Sequence, residues 1–137
     1  MKTRLLIICA LIFSLTGLAD AAGSQRKVHV EREFDLRAGG TVLVKEGGLR
    51  LEFASVKEDS RCPEGVDCIW AGNGKITLTA RVGISKTSSF ELNTMTEPKS
   101  YTYRGYEITL VRLSPYPKKD NKIKKGEYVA TLLVRKK

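Results

Sequence analysis

The chain has 137 residues and a formal net charge of +9, from 24 lysines and arginines against 15 aspartates and glutamates. A chain of this length is an ordinary single domain with its own core, and it leaves no room for a second domain. The positive charge favours acidic partners, namely anionic polymers, membrane surfaces or acidic proteins, without choosing among them.

The amino terminus predicts a signal peptide over residues 1–21. Two basic residues precede the apolar run Leu5–Leu18, and Ala19–Ala21 places small residues where a signal peptidase reads the chain. The run is shorter than the roughly 20 residues that span a bilayer, so cleavage near Ala21 is expected rather than an uncleaved anchor. We therefore predict a single periplasmic or secreted domain over residues 22–137, without stable membrane insertion.

Alternating apolar residues predict three strands in the next part of the chain. The first covers residues 28–36, and the second residues 42–44. Gly47-Gly48 then indicates a two-residue hairpin into a strand over residues 49–56. The apolar parity flips near Phe53, as a β-bulge would cause.

The cysteines predict one disulfide. Cys9 lies inside the apolar run of the signal peptide, behind bulky isoleucines, where lipidation is not expected. Removal of the signal peptide leaves Cys62 and Cys68, an even pair in an oxidising compartment. Closing this short loop is expected to stabilise the fold by about 2 kcal/mol. Zinc is the competing interpretation, but a structural zinc site prefers further cysteine or histidine ligands, and we predict no metal.

Beyond the cysteines the alternation resumes. The cleanest strand pattern in the chain covers Ile76–Ile84, where five apolar residues occupy every second position. A shorter strand follows at Phe90–Leu92. Strands at 101–103 and 106–113 are predicted to form a hairpin across Arg104-Gly105.

Two features of the last strands bear on the core. A second change of parity is expected to turn Val111 and Leu113 toward the inner face. The final segment, Tyr128–Val134, is nearly all apolar, which is typical of a central strand covered on both faces.

Seven to eight strands, without an amphipathic helix of useful length, predict an all-β fold with one antiparallel β-sandwich domain and one disulfide loop. A closed barrel is the alternative, because alternation does not show whether the edges of the sheets close. We favour the sandwich and expect a monomer.

The sequence offers little for catalysis. It contains no G-x-S-x-G, no H-E-x-x-H and no phosphate-binding glycine loop. His29 lies at the polar parity of its strand, and Glu31 and Glu33 stand two apart, as on the solvent side of a sheet. The spacing C-x5-C differs from the C-x-x-C of thiol oxidoreductases. We predict that the protein is not an enzyme and has no catalytic residue and no cofactor.

A basic run near the carboxyl terminus has two interpretations. It is a solvated loop kept soluble by charge, or a patch that binds anionic envelope polymers. Nucleic acid is not an expected partner, because the run lacks interleaved aromatic residues and a reading helix. The candidate basic patch consists of Lys118, Lys119, Lys122, Lys124 and Lys125.

Three tyrosines near the hairpin turn also leave two alternatives open. Tyr101, Tyr103 and Tyr106 form either an exposed stacking surface for sugars or peptides, or an aromatic cover for a small core.

The stretch Asp59–Gly72 interrupts the alternating pattern with two cysteines, a proline, an arginine and the only tryptophan. As a structural clasp, it would bury Trp70 over the disulfide and tie Arg61 inward to Asp59 or to backbone carbonyls. As a binding site, it would project both side chains, since arginine and tryptophan are enriched at binding hot spots. We expect an intermediate arrangement, with Trp70 buried and the tip at 63–67 exposed. The candidate binding residues are Arg61, Pro63, Glu64, Asp67 and Trp70.

The same stretch, DSRCPEGVDCIWAG, resembles the signature of an uncharacterised family of small bacterial secreted proteins and lipoproteins. In that signature, D-S-R-C-P and C-x-W-A-G flank a short variable segment, and both halves match between Asp59 and Gly72. The later segment at 105–117, GYEITLVRLSPYP, is similar to the family's last hairpin. This chain departs from the family in lacking a lipidation cysteine. The resemblance implies a secreted β domain and supplies no activity.

Two functions follow as hypotheses. The first is a non-catalytic binding module that presents the 59–72 loop to a protein partner, as an inhibitor does, or to an envelope component. A rigid loop suits this because little entropy is lost on docking. The alternative is a structural envelope protein held to anionic polymers by its basic surface, and its binding would be lost at moderate ionic strength.

Overall fold

Side-chain alternation produces two packed sheets in the computed structural model, which describes residues 25–137. Within this part of the chain the strands are β1 (Lys27–Val28), β2 (Glu33–Arg37), β3 (Thr41–Val44), β4 (Leu49–Asp59), β5 (Gly74–Val82), β6 (Ser88–Asn93), β7 (Ser100–Tyr103), β8 (Tyr106–Ser114) and β9 (Val129–Lys136). A short 3-10 helix covers Lys125–Glu127. The predicted signal peptide, with Cys9 and the expected cleavage position near Ala21, lies outside the described residues.

The first sheet has the order β1-β3-β4-β5-β6, and the second has the order β2-β9-β8-β7. Every pair of neighbours is antiparallel except β1 and β3, which are parallel. The predicted all-β sandwich is confirmed. Between residues 25 and 137, no helix is long and apolar enough to cross a membrane.

The core lies between the inner faces of the two sheets. Alternate residues of β4 and β5 meet alternate residues of β8 and β9, as the twofold period of a strand requires. Phe53 and Leu78 from the first sheet, with Ile108 and Leu132 from the second, have no exposed surface.

The predicted strand over residues 28–36 is in fact two strands in different sheets. Val28 pairs with Val44 in the first sheet, whereas Phe34 pairs with Leu132 in the second. Between them the chain turns, with Glu31 at a φ of 59°. The turn preserves the even spacing of the apolar residues, so alternation alone did not reveal the change of sheet. This division accounts for nine strands in the described chain, where seven to eight were predicted.

Both predicted changes of parity coincide with irregular strand pairing. The ladder between β4 and β5 shifts register after Phe53, and the ladder between β8 and β9 shifts between Leu110 and Arg112. Leu113 is buried as expected, but Val111 is 43% exposed, so the predicted inward orientation of Val111 was wrong. The bulge places two residues of β8 opposite one residue of β9, and Val111 is turned outward.

Turns account for the other differences. The strand predicted to reach Ile84 ends at Val82, and Ile84 is fully exposed in the turn that follows. The hairpin at Gly47-Gly48 has a four-residue turn rather than two, because pairing stops at Val44 and Leu49. The hairpin across Arg104-Gly105 is confirmed by the pairing of β7 with β8.

The last strand, β9, lies between β2 and β8, so its predicted central position is confirmed. Its inner face is buried. On its outer face Thr131 is also buried and donates a hydrogen bond of 2.7 Å to Asp35 Oδ1, but Leu133 is partly exposed. The outer face is therefore only partly covered.

Candidate functional site

The segment between β4 and β5 continues their ladder beyond the core. The amide of Ser60 donates to the carbonyl of Asn73, and the amide of Cys62 donates to the carbonyl of Ala71, both at 2.8 Å. The disulfide with Cys68, whose Cα lies 5.9 Å from that of Cys62, closes the tip. The predicted disulfide is confirmed, and it joins two strands as expected.

Gly72 lets the two sides of this loop approach each other. Its φ is +73°, and a Cβ atom there would lie 1.8 Å from the carbonyl oxygen of Ser60. Backbone atoms cannot yield as a flexible side chain would, so any other residue would force the loop apart. This is the physical reason for glycine at the end of the W-A-G motif.

Beneath the loop lies Arg61, which is only 5% exposed. Its Nε and Nη2 donate to the two carboxylate oxygens of Asp59, each at 2.7 Å. Its Nη1 donates to the carbonyl of Leu113, and Nη2 donates to that of Pro115 at 3.0 Å. This is the inward orientation of the clasp interpretation, and Arg61 does not project from the loop as the binding-site interpretation required. The side chain thus joins the loop to the carboxyl end of β8.

Asp59 also accepts a hydrogen bond of 3.0 Å from the hydroxyl of Tyr128, at the start of β9. Burial acts to raise the pKa of the Asp59 carboxyl, but the hydrogen bonds and charge of Arg61 outweigh it, and the pKa lies below its usual value. Burial, and then the bond to the carboxylate, raise the pKa of Tyr128 to about 12. Asp59 is therefore held ionised, and Tyr128 is held protonated.

The ring of Tyr116 covers one side of the arginine. Arg61 Cζ lies 5.2 Å from the centroid of that ring, a cation–π geometry. Tyr116 is itself 46% exposed, so its outer surface remains available to solvent.

Trp70 is 59% exposed and the neighbouring Ile69 is fully exposed, so the predicted burial of Trp70 was wrong. The side chain that is buried in this stretch is that of Arg61 instead. The indole instead lies over the outer face of the first sheet, where it shares a recess with Glu58 and Glu91.

The tip of the loop is exposed, as predicted, except at its start. Glu64, Val66 and Asp67 are exposed, whereas Pro63 is partly buried. The tip also rests on the basic run, because the amide of Glu64 donates to the carbonyl of Pro117 at 3.0 Å. No pattern in the sequence indicates that these two segments meet.

A groove of about 170 Å³ lies next to the loop. Its lining residues are Arg61, Ala71, Thr94, Met95, Val111, Arg112, Leu113 and Tyr116. Met95 is 53% exposed and is fixed in place by its amide, which donates to Asn73 Oδ1 at 3.1 Å. Sequence reasoning missed this groove, although the change of parity at Val111 was a signal for it.

The five candidate lysines are all exposed. The backbone of Lys118 pairs with that of Glu64 in the loop, as an isolated β-bridge. Lys125 instead lines a separate recess with Gly39 and Ser55. Among the residues that the structure describes, no carboxylate lies within salt-bridge distance of any of the five.

The remaining candidates form structural contacts. His29 Nδ1 lies 2.8 Å from Glu46 Oε1 on the surface. Tyr103 and Tyr106 are buried, and Tyr101 stacks on Phe90 with ring centroids 4.2 Å apart. The tyrosines therefore cover the core. Between residues 25 and 137, no group of three or more histidine, cysteine or carboxylate side chains is placed to hold a metal ion.

Comparison with known proteins assigns no family: no family model matches the chain, and no match is found among the curated proteins or the solved structures. The resemblance of residues 59–72 to a family signature therefore stays a prediction.

We predict that Arg61→Ala lowers the free energy of unfolding by about 3 kcal/mol, because it leaves the Asp59 carboxylate, on a side chain only 11% exposed, without its counter-charge. The matched control is Arg135→Ala, which breaks an exposed pair with Glu31 and is expected to cost less than about 1 kcal/mol. A double-mutant cycle with Asp59→Asn, measured by denaturant unfolding, should give strong coupling. Equal losses for the two arginine variants would contradict the account of the buried pair.

The free energy of unfolding should depend on pH through the ionisation of Asp59. Its pKa is lower in the folded state, so the stabilisation is fully present above the unfolded value near 4 and is lost as the pH falls through the folded pKa. The difference in free energy of unfolding between wild type and Asp59→Asn should therefore narrow as the pH falls from about 6 to about 3. A constant difference across this range would show that Asp59 is not held ionised by Arg61.

Proposed function

We propose that the protein is a non-catalytic binding module, periplasmic or secreted, that captures a protein partner with the surface around its disulfide loop. The observation that carries this proposal is the placement of its exposed apolar side chains. Seven large hydrophobic residues are exposed in the described chain, and six of them belong to the loop or line the groove beside it. The loop contributes Val66, Ile69 and Trp70, and the groove contributes Met95, Val111 and Tyr116. We call these six residues the loop face.

Clustering of this kind is informative because isolated exposed hydrophobic residues are normal, whereas contiguous apolar surface marks interaction sites. The seventh residue, Ile84, lies alone in the turn after β5. Tryptophan, tyrosine and methionine are also residue types enriched at protein interfaces.

Rigidity supports the same proposal. The disulfide closes the loop, Gly72 fixes its neck and the buried Arg61 anchors it from below. A surface held in this way loses little conformational entropy on docking, so more of the contact energy is retained as affinity.

The chemistry of the groove favours binding over catalysis. Its lining residues provide no carboxylate, histidine or thiol, and Arg61 is neutralised by Asp59. Acid–base and nucleophilic mechanisms rely on such groups. The disulfide and the expected signal peptide support an oxidising compartment.

The alternative function, a structural envelope protein held to anionic polymers, has one observation in its favour. The five lysines are exposed and, in the described chain, none is paired with a carboxylate. Binding by such charges is screened by salt, whereas binding by the loop face would persist.

The test is capture of a partner from an envelope extract on immobilised protein, with the partner then purified and its affinity measured. The double variant Ile69→Ser, Trp70→Ser should lose at least about tenfold in affinity, because it removes two central apolar contacts. Its melting temperature should change little, since both side chains are exposed.

Ile84→Ser is the matched control, because it removes an equally exposed isoleucine outside the loop face. Its affinity should equal that of the wild type. If the loop variant retains its affinity, the loop face is not the site. If moderate salt abolishes all capture, the alternative function is supported instead.

A further inference from the structure

The groove beside the loop has the size and chemistry to receive one particular kind of partner segment. We propose that it takes a single apolar side chain from an acidic stretch of a partner protein, whose carboxylates meet Arg112 and Lys118. This inference rests on the proposed function and names the partner class.

The size of the groove limits its occupant. At about 170 Å³ it is smaller than the roughly 300–1,000 Å³ that small-molecule sites usually enclose. Its lining is mainly apolar and includes Met95, Val111 and Tyr116. A single aliphatic or aromatic side chain matches this space.

The bulge in β8 creates the apolar wall. It turns Val111 out of the sandwich, and the next residue, Arg112, also lines the groove and is exposed. Bulges are frequent beside functional sites because they redirect a side chain in this way. The bulge thus places an apolar contact and a positive charge next to each other.

The charged residues that line the groove are both arginines, and one of them, Arg61, is neutralised by Asp59. Arg112 Nη2 donates to the hydroxyl of Thr131 at 3.2 Å, and no carboxylate in the described chain lies within salt-bridge distance of Arg112. Lys118, two residues after Tyr116, is exposed and likewise unpaired in that part of the chain. A partner with carboxylates flanking its apolar side chain would complement both charges.

A second recess, which Thr96 lines together with Trp70, has the reverse charge. The recess that Trp70 lines contains Glu58, Glu91 and Glu97 against one lysine, Lys75. These carboxylates disfavour an anionic bilayer as the occupant, because the exposed indole and the groove would both have to meet it. They also indicate the direction of the partner, whose acidic residues should extend toward Arg112 and away from Trp70.

The test uses a mixed library of short peptides, each with a leucine fixed at its centre and random residues at the flanking positions. Immobilised full-length protein should enrich peptides with aspartate and glutamate at the flanks. Enrichment of neutral or basic flanks would overturn the inference, and so would the absence of any enrichment.

Two variants then locate the contact. Val111→Asp, which alters an exposed side chain, should weaken the selected peptide by at least about tenfold. Arg112→Gln should weaken it by about fivefold and reduce its dependence on salt. Lys125→Gln is the control, because Lys125 lines a different recess. This variant should bind the selected peptide as tightly as the wild type does.

These outcomes are distinguishable from failure of the proposed function. If the captured partner binds through Ile69 and Trp70 but is unaffected by Val111→Asp, the binding module stands and the inference about the groove is wrong. If the acidic peptide binds the groove and competes with the captured partner, both stand.

Discussion

The buried ion pair between Arg61 and Asp59 is the interaction on which the rest of the site depends. Arg61 is only 5% exposed, and burial of its charge costs free energy. The burial is tolerated because the guanidinium donates four hydrogen bonds. Those contacts reach the end of β4, at Asp59, and the end of β8, and Asp59 in turn accepts a hydrogen bond from Tyr128, immediately before β9. Leaving any of them unmade would leave a buried charge or polar group unpaired. The main effect of the pair is therefore to select one arrangement of these segments, and its net contribution to the free energy of unfolding is secondary.

The position of this pair determines what the loop can present. Arg61 fills the space beneath the loop, so Trp70 is turned to the outside and Tyr116 stacks on the guanidinium from the side. The clasp and the proposed binding site are thus two sides of one structure. Its inner side is ionic and buried, and its outer side is apolar and exposed. A rigid inner side is what allows an exposed apolar surface to keep a defined shape for a partner.

A feature of this structure could be predicted from the sequence where it depends on residues that are close together along the chain. Alternation of side chains is a local property, and it predicted the cores of β5, β8 and β9 and the bulge after Phe53. The disulfide followed from the two remaining cysteines. The exposure of Trp70 could not be predicted in this way, because it depends on a competition with Arg61. The outcome is decided by Leu113 and Tyr128, partners of Arg61 and Asp59 that are more than fifty residues away in sequence.

The most direct test of this account is amide hydrogen exchange in wild type and in Arg61→Lys. Lysine keeps the charge but cannot make the forked contact with Asp59 while also reaching the carbonyls of β8. Protection of the amides of Cys62 and Glu64, which bond across the loop and to the basic run, should fall by more than protection of the amides in the middle of β9, which exchange only when the whole domain unfolds. Unchanged protection at Cys62 and Glu64 would contradict the claim that Arg61 holds the loop in place.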